Sequence, residues 1–357
     1  MKILVCPLNW GIGHGTRCVP LIQKFISENH EVVIGANGRT LAFLKGEFPN
    51  LEALEVPGYD IQYPTSKVFF MFLFLPRVIG FLFSIPKEQK FLDALVLEKG
   101  IDKVISDNRF GLHTKRCPCI FMTHQLYIKI PALPLSLLNK LIQPLFQKAL
   151  NYLVKKQLNK FTQVWIPDFE GDPNLAGDLC HPKPMGVNCV YLGSQSRFTG
   201  LSIKKVEGRI DYLAVISGPE PQRTYFEKKV LQSFEKLKGT RVIVSGKPEL
   251  YAGQQKVIQG TLNHFPHLPS TVLVQYLKMG KVIVCRPGYS SVMDFVALKK
   301  NKVLFVPTPG QTEQEYLARK YEEEKIAPWM EQEQFSIDEN IFKNKEYVGF
   351  GVFKGAR

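Results

Sequence analysis

Acidic residues are the scarce class in this sequence: 32 Asp and Glu stand against 46 Lys and Arg in 357 residues, a net charge of +14 at pH 7. An excess of that size predicts an anionic partner: nucleic acid, anionic lipid or a phosphorylated substrate. Other absences narrow the choice. No RNP, helix-turn-helix or zinc-finger pattern occurs, which argues against nucleic acid. The seven cysteines, Cys6, Cys18, Cys117, Cys119, Cys180, Cys189 and Cys285, form no C-x-x-C pair. Neither a zinc ribbon nor a disulfide framework is expected, and the thiols read as small packing residues in a reducing compartment. Met1-Lys2-Ile3-Leu4-Val5 lacks the basic, apolar and small-residue succession of a signal peptide, so a cytoplasmic location is expected.

What is present is enough for two cores. A domain takes roughly 100 to 200 residues, and the content of 45% apolar and 22% charged residues fits neither a disordered chain nor a multi-span membrane protein. Short apolar runs alternate with helix-length segments. Strands are expected at Lys2 onward, Glu31–Gly35, Leu51–Val56, Asp102–Ser106, Cys119–Met122 and Gln163–Ile166. After a stretch rich in Gly, Pro, Asn and Ser from Asp168 to Arg209, the alternation resumes with strands at Tyr212–Ile216, Arg241–Val244, Lys281–Cys285 and Lys302–Val306. Helices are expected at Arg223–Leu237, Ser290–Leu298 and Gln314–Glu324. The pattern predicts an α/β protein of two doubly wound, Rossmann-like domains, residues 1–195 and 208–340, with a tail over 341–357. The loops at the carboxyl ends of the strands would face a cleft between the domains.

The positive charge is uneven. No Asp or Glu occurs between Asp107 and Asp168, a window that holds Arg109, Lys115, Arg116, Lys129, Lys140, Lys148, Lys155, Lys156 and Lys160. Within it, Leu135–Phe161 reads as a helical region interrupted at Pro144. Its apolar stripe comprises Leu138, Leu141, Ile142, Leu145, Phe146, Ala149, Leu150 and Leu153. Val68–Pro86 carries six phenylalanines and a single charge, Arg77. A spanning helix needs about 20 apolar residues, so this segment is short for a span, and Pro76-Arg77 breaks its middle. Segments 66–87 and 133–161 are expected to lie on an anionic membrane surface. An ordinary lysine-faced domain helix and a buried helix pair are the plainer alternatives.

Chemistry-bearing residues sit in glycine-rich loops. The first strand runs into Asn9-Trp10-Gly11-Ile12-Gly13-His14-Gly15-Thr16-Arg17, where Gly11, Gly13 and Gly15 could let the backbone approach a phosphate and Arg17 could bind it or the acceptor. A dinucleotide fingerprint fails here, because the run from Gly11 lacks the third glycine at its required spacing and the second strand ends in Gly35-Ala36-Asn37 without an acid. The second half has Ser217-Gly218-Pro219-Glu220-Pro221-Gln222-Arg223, Arg286-Pro287-Gly288-Tyr289-Ser290-Ser291-Val292-Met293-Asp294, and Pro307-Thr308-Pro309-Gly310-Gln311-Thr312-Glu313-Gln314-Glu315. Gly288, Ser290 and Ser291 at a helix start suit a diphosphate, Asp294 suits ribose hydroxyls, and Gln314 and Glu315 suit sugar hydroxyls.

These loops and the two-domain layout resemble the GT-B glycosyltransferases, and most nearly glycosyltransferase family 28, that of the peptidoglycan UDP-GlcNAc transferase. The likeness is clearest over Lys281–Arg319. It implies a C-terminal half that binds a UDP-sugar and an N-terminal half that binds a lipid-linked acceptor at the inner face of the cytoplasmic membrane, in cell-envelope metabolism. It also implies the ribose for Asp294, the diphosphate for Gly288, Tyr289, Ser290 and Ser291, and the donor sugar for Gln314 and Glu315. Ser217, Gly218, Arg223 and Arg286 would lie beside the nucleotide. The sequence departs from that family in two places: His14 or Arg17 could occupy the family's His position, and Gln314-Glu315 replaces Gln-Gln. The sugar, a hexose or an N-acetylhexosamine, and the acceptor are therefore left open.

An inverting transfer needs a base for the acceptor hydroxyl. His14 is the first candidate, with Asp107 and His124 as alternates. No Asp-x-Asp triplet occurs, so leaving-group stabilisation without a metal or other cofactor is expected, the UDP-sugar being a co-substrate. A UDP-sugar epimerase of the same fold and a non-catalytic nucleotide-sugar-binding protein are the rival readings.

Overall fold

The computed structural model describes residues 1–58, 84–127, 136–181, 186–201, 208–250, 256–259, 261–337, 341–342 and 346–353, with backbone alone at 136–143, 146 and 256–259. These residues fall into two units, the first running to Gln195 and the second starting at Ser196.

Unit one is built on β1 (Lys2–Pro7), β2 (Glu31–Ala36), β3 (Glu52–Glu55), β4 (Lys103–Asp107), β5 (Cys119–Met122), β6 (Gln163–Ile166) and β7 (Cys189–Tyr191). All seven are parallel, in the order β3-β2-β1-β4-β5-β6-β7. Helices α1 (Gly13–Ser27), α2 (Gly38–Glu47), α3 (84–99) and α4 (Ser136–Leu158) connect them. A parallel sheet is covered on both faces, which is why Ile3, Leu4, Val5 and Cys6 form an unbroken apolar run and are all buried. Val5, Ile22, Ile34, Phe43, Leu44, Ile105 and Met122 share one core between the sheet and α1 and α2. Strand order reverses between β1 and β4. Their register sets Pro7 opposite Asp107, and Asp107 opposite Met122 on β5. The carboxyl ends of three central strands are thus level, at the place where open α/β sheets bind ligands.

Three features differ from expectation. The helix containing Pro144 is continuous over Ser136–Leu158. A proline removes one N–H and crowds one carbonyl, and the ladder on either side, with Pro144 on the exposed side, carries the helix through. Strand β7 lies in the stretch that composition marks as a linker, and its three residues give too short a pattern to detect. Arg109, one of the nine charges in the acid-free window, is buried and paired with Glu88 at 2.7 Å, so it adds nothing to the surface charge. On α4, Val154 and Leu158 are buried, whereas Leu145, Tyr152 and Leu153 are exposed beside exposed Lys148 and Lys156. The phenylalanine-rich segment lies outside the described residues except for 84–86, which belong to α3. Among the described residues, no helix is long and apolar enough to cross a membrane.

Unit two contains β8 (Ile210–Val215), α5 (Gln222–Glu235), β9 (Arg241–Val244), β10 (Lys256–Gln259), β11 (Leu262–Phe265), α6 (Ser270–Met279), β12 (Gly280–Cys285), α7 (Tyr289–Leu298), β13 (Val303–Phe305) and α8 (Thr312–Glu323). The sheet order is β10-β11-β9-β8-β12-β13, parallel except where β10 pairs antiparallel with β11 at the edge. Ala214, Phe226, Val230, Ile243, Val284 and Leu304 lie in its core. The strand order reverses between β8 and β12, and Val215, Cys285 and Phe305 are level across β8, β12 and β13. Phe350, from the stretch set apart as a tail, is fully buried against Phe295, Phe305 and Tyr321, so that stretch contributes to this unit's packing.

Candidate functional site

Two clusters occupy the strand-reversal points, one in each unit. In unit one, Asp107 ends β4, His124 follows β5 by two residues, and His14 and Arg17 lie on the first turns of α1. Asp107 is fully buried. Arg17, only 1% exposed, grips both of its oxygens, donating from Nε to Oδ2 at 2.8 Å and from Nη2 to Oδ1. The same guanidinium donates from Nη1 to His124 Nδ1 at 2.6 Å. Arginine has no acceptor, so this contact places the His124 ring proton on Nε2. His14 Nδ1 lies 3.2 Å from Asp107 Oδ1 and 2.8 Å from Arg17 Nη2. Protonated at Nδ1, the ring donates to Asp107; deprotonated there, it accepts from Arg17. Its Nε2 makes no hydrogen bond among the described residues, and the side chain retains 12% exposure.

The charges determine what each group can do. Burial alone would raise the Asp107 carboxyl, but the charges of Arg17 and His14 and their hydrogen bonds outweigh it and hold the pKa at about 2. A carboxylate that acidic, with both oxygens occupied, orients a neighbour; it is a poor proton acceptor. Burial, assisted by Arg17, lowers the His14 pKa against the pull of Asp107. His14 is therefore neutral at pH 7, and in the tautomer that donates from Nδ1 to Asp107 its Nε2, without a partner among the described residues, presents the lone pair a general base requires. Of the three base candidates, His14 has the suitable geometry.

The glycines of this loop have different tasks. Gly11 takes φ +81°, which favours glycine, and nothing crowds it. A Cβ on Gly15 would lie 3.1 Å from Thr40 and 3.2 Å from Phe43, so Gly15 allows α1 to close on α2. Gly13 is the first residue of α1 and accepts the Thr16 hydroxyl through its carbonyl. Glu88 accepts from Arg109 Nε and Nη2 and from the Gly111 amide, which braces the loop after Asp107. Sequence reasoning passes over Glu88 because its partner is 21 residues away.

In unit two, the Arg286 guanidinium is fully buried. It donates to the carbonyls of Val306 and Pro307 at 2.9 Å each, to the Gln222 carbonyl at 3.1 Å and to the Gln332 side chain, over the Phe226 ring. It ties the ends of β12 and β13 to the start of α5, and burial lowers its pKa to about 9. Arg223 is also inward, with Glu220 at 2.6 Å, Glu227 at 2.7 Å and the Ser245 carbonyl at 3.2 Å. Ser217 and Gly218 follow β8, and Gly218 takes φ +114°. Gly288 is the N-cap of α7 with extended backbone and no side-chain cap. The first intrahelical bond there is Val292 N–H to Gly288 O, so the N–H groups of Tyr289, Ser290 and Ser291 precede the ladder at the positive end of the helix. Tyr289 is buried; Ser290 and Ser291 are half-buried.

Asp294, on the same helix, is buried and accepts from Ser196 Oγ at 2.7 Å, with Arg197 Nε at 3.5 Å from its other oxygen. Burial raises its pKa against the pull of Arg197. Ser196 and Arg197 carry no local signal; the partner of Ser196 lies 98 residues on, and Arg197 shares it. Gln314 and Glu315 turn back onto their own loop, Gln314 Oε1 accepting from the Thr308 amide at 2.8 Å and Glu315 Oε1 from the Gly310 amide at 3.0 Å.

One cluster has metal-ligand composition: Asp168, Cys180 and His181, whose ligand atoms lie within 4.8 Å of one another. Asp168 already accepts the backbone amides of Phe169, Leu175 and Ala176 at 2.7, 2.8 and 2.9 Å. This carboxylate organises a loop, and its oxygens are spent on that task.

Comparison with solved structures shows what this double arrangement is similar to. The spinosyn rhamnosyltransferase SpnG aligns over 99% of this chain and 91% of its own, at 14% identity and a TM-score of 0.61. This chain has the GT-B fold. The glycosyltransferase SnogD from Streptomyces nogalater aligns over 94% of this chain and 89% of its own, at 13% identity and a TM-score of 0.57. MurG from Acinetobacter baumannii aligns over 94% and 87%, at 11% identity and a TM-score of 0.50. No protein-family model matches the chain, and no curated protein matches its sequence. At such identities the GT-B likeness establishes the architecture, and the chemistry has to be argued from the residues.

Proposed function

We propose that the chain is an inverting, metal-independent glycosyltransferase that moves a hexose or N-acetylhexosamine from a nucleotide-diphosphate donor, UDP-linked by the resemblance, to a hydroxyl on a lipid-linked or membrane-proximal acceptor. The observation that carries this reading is the His14–Asp107 pair at the reversal point of the first sheet, with Nε2 open and Nδ1 against a locked carboxylate. His14 Nε2 takes the acceptor hydroxyl proton, and the oxygen attacks the anomeric carbon. The bond from that carbon to the diphosphate oxygen breaks, and the nucleoside diphosphate leaves with the electron pair. Asp107 stabilises the imidazolium that forms. The start of α7, with Ser290 and Ser291, meets the developing diphosphate charge without a metal ion.

Solved neighbours support a nucleotide donor and an aglycone as acceptor: SpnG has been solved complexed with thymidine diphosphate and with spinosyn aglycone, and VinC in complex with dTDP. The exposed Leu145, Tyr152 and Leu153 among lysines on α4 support an acceptor at an anionic membrane surface. The test is His14→Ala, assayed with UDP- and dTDP-sugars. Nucleotide-sugar affinity should stay within about twofold, and transfer and slow donor hydrolysis should fall by roughly 10²- to 10⁴-fold. Full activity in the variant removes His14 as base. Epimerised nucleotide sugar as the wild-type product, or binding without any turnover, defeats the transferase reading.

A further inference from the structure

Arg17 reaches three side chains of the unit-one cluster at once, and its protons can be assigned. A guanidinium carries N–H donors in a fixed fork and no acceptor. Nε donates to Asp107 Oδ2 at 2.8 Å, one Nη2 proton goes to Asp107 Oδ1, and Nη1 donates to His124 Nδ1 at 2.6 Å. The second Nη2 proton faces His14 Nδ1 at 2.8 Å. Opposite demands therefore meet at that nitrogen: Arg17 requires its lone pair, whereas Asp107 Oδ1, 3.2 Å away, would accept its proton. The arginine contact is the shorter, and Asp107 Oδ1 is already served by the same Nη2. With the His14 proton on Nε2, each of these N–H groups meets an acceptor. With the proton on Nδ1, two donors confront each other. The charge of the ring is controlled from the same side. Among the described residues, the charged and titratable groups acting on it are Asp107 from β4, Arg17 from its own helix and His124 from the segment after β5. Burial disfavours the imidazolium most; Asp107 favours it, and Arg17 and His124 oppose it.

We propose that Arg17 is the positioning residue of this base: it holds the resting His14 ring uncharged with its proton on Nε2, so that His14 becomes a base only once the proton is carried on Nδ1, towards Asp107. The proposal rests on the reading of His14 as base and refines it. The change of tautomer gives the Nε2 proton to water and takes another from water at Nδ1, with no net change in charge. Nδ1–H then donates to Asp107 Oδ1, the contact with Arg17 Nη2 opens, and the Nε2 lone pair meets the acceptor hydroxyl. At rest, Nε2 takes no proton from a water molecule that enters the site. Arg17 touches none of the reacting atoms and acts through the ring alone.

Long-range proton–nitrogen NMR correlation on protein labelled with nitrogen-15 histidine reports tautomer and charge together, with His14→Gln assigning the signal. In wild type without substrate, the neutral ring should carry its proton on Nε2 and titrate below 6.5. Arg17→Met removes the charge and the donors at similar length. Its neutral ring should carry the proton on Nδ1, bound to Asp107, and should titrate at higher pH than in wild type. The acid limb of the transfer reaction should move with it, so that the ratio of activity at pH 6 to activity at pH 8 falls by roughly 3- to 10-fold. An arginine that only supports the fold would lower activity equally at both pH values. A wild-type neutral ring protonated on Nδ1 overturns the proposal whether or not the variant folds. An Arg17→Met ring with the wild-type tautomer, or an acid limb that stays in place, also overturns it. These outcomes leave His14 standing as the base, whereas full activity in His14→Ala defeats the base reading and this proposal with it.

Discussion

Asp107→Asn changes one charge and almost no volume, and it tests the proposed role of the buried cluster in unit one. In the wild type Arg17, 1% exposed, places Nε and Nη2 on the Asp107 carboxylate. An amide in that place offers one acceptor oxygen and no charge, and breaking a buried ion pair in this way costs about 3–5 kcal/mol. The pH dependence gives a second, independent signature. The Asp107 pKa is depressed from 3.8 to about 2 in the fold, so its contribution to stability is present above pH 3.8 and is lost as pH falls towards 2. At 1.36 kcal/mol per unit this amounts to about 2 kcal/mol. His14 is also depressed, from 6.5, and its contribution is lost in the same acid direction but at higher pH. The Asn variant should lose the lower window. Trp10 and Trp165 lie in unit one and Trp329 in unit two, so urea unfolding followed by fluorescence in a Trp329→Phe background reports unit one. The double variant Arg17→Met/Asp107→Leu, which removes both charges, should recover part of the loss. Asn within about 1 kcal/mol of wild type at pH 7, or an equal loss of stability between pH 4 and pH 2 in both proteins, would refute the clamp.

The fold was largely legible because of how parallel sheets are buried. Ile3–Cys6, Val32–Ile34, Ile120–Met122 and Val282–Cys285 stand out as apolar runs since both faces of each strand are covered. Strands that escaped detection lack that property: Cys189–Tyr191 is three half-buried residues, β10 pairs antiparallel at an edge, and β11 beside it is interrupted by the half-buried polar pair Asn263 and His264. The continuity of α4 through Pro144 was illegible for another reason. Local rules describe what proline does to a single turn, whereas the whole helix and its packing decide whether the chain goes on.

Candidate-site positions were legible where they fall at strand ends. Asp107, His124, Ser217 and Arg286 all fall there, and so Asp107 and His124 could be singled out before any partner was known. Partnerships were hidden by distance along the chain. Arg17 reads as a phosphate ligand from its place in a glycine-rich loop, but a carboxylate 90 residues away turns it inward. Arg223 and Arg286 show the same effect, each serving carbonyls or acids within unit two. The net charge of +14 therefore overstates what is offered to partners: Arg17, Arg109, Arg223 and Arg286 are among the largest fully buried side chains. The cationic surface that remains near α4 belongs to lysines.

Two further predictions follow from these placements. Replacing exposed Leu145 and Leu153 together by Ser should lower partition onto phosphatidylglycerol-containing vesicles by roughly 5- to 30-fold, taking partial burial of each leucine at about 0.5–1 kcal/mol; unchanged flotation at low salt would place the membrane contact elsewhere. Asp294→Ala should lose UDP affinity, and because Arg197 is only 7% exposed and pairs with that carboxylate, it should also lower stability by about 3 kcal/mol. Lost affinity alone would therefore not separate a ribose ligand from a residue that only holds Ser196 and Arg197. The double variant Arg197→Met/Asp294→Leu separates them, since it removes the stranded charge and should restore most of the stability, while ribose hydroxyls still find no acceptor. Wild-type UDP affinity in that double variant would show that Asp294 serves the 196–197 segment and that the ribose is held by other groups.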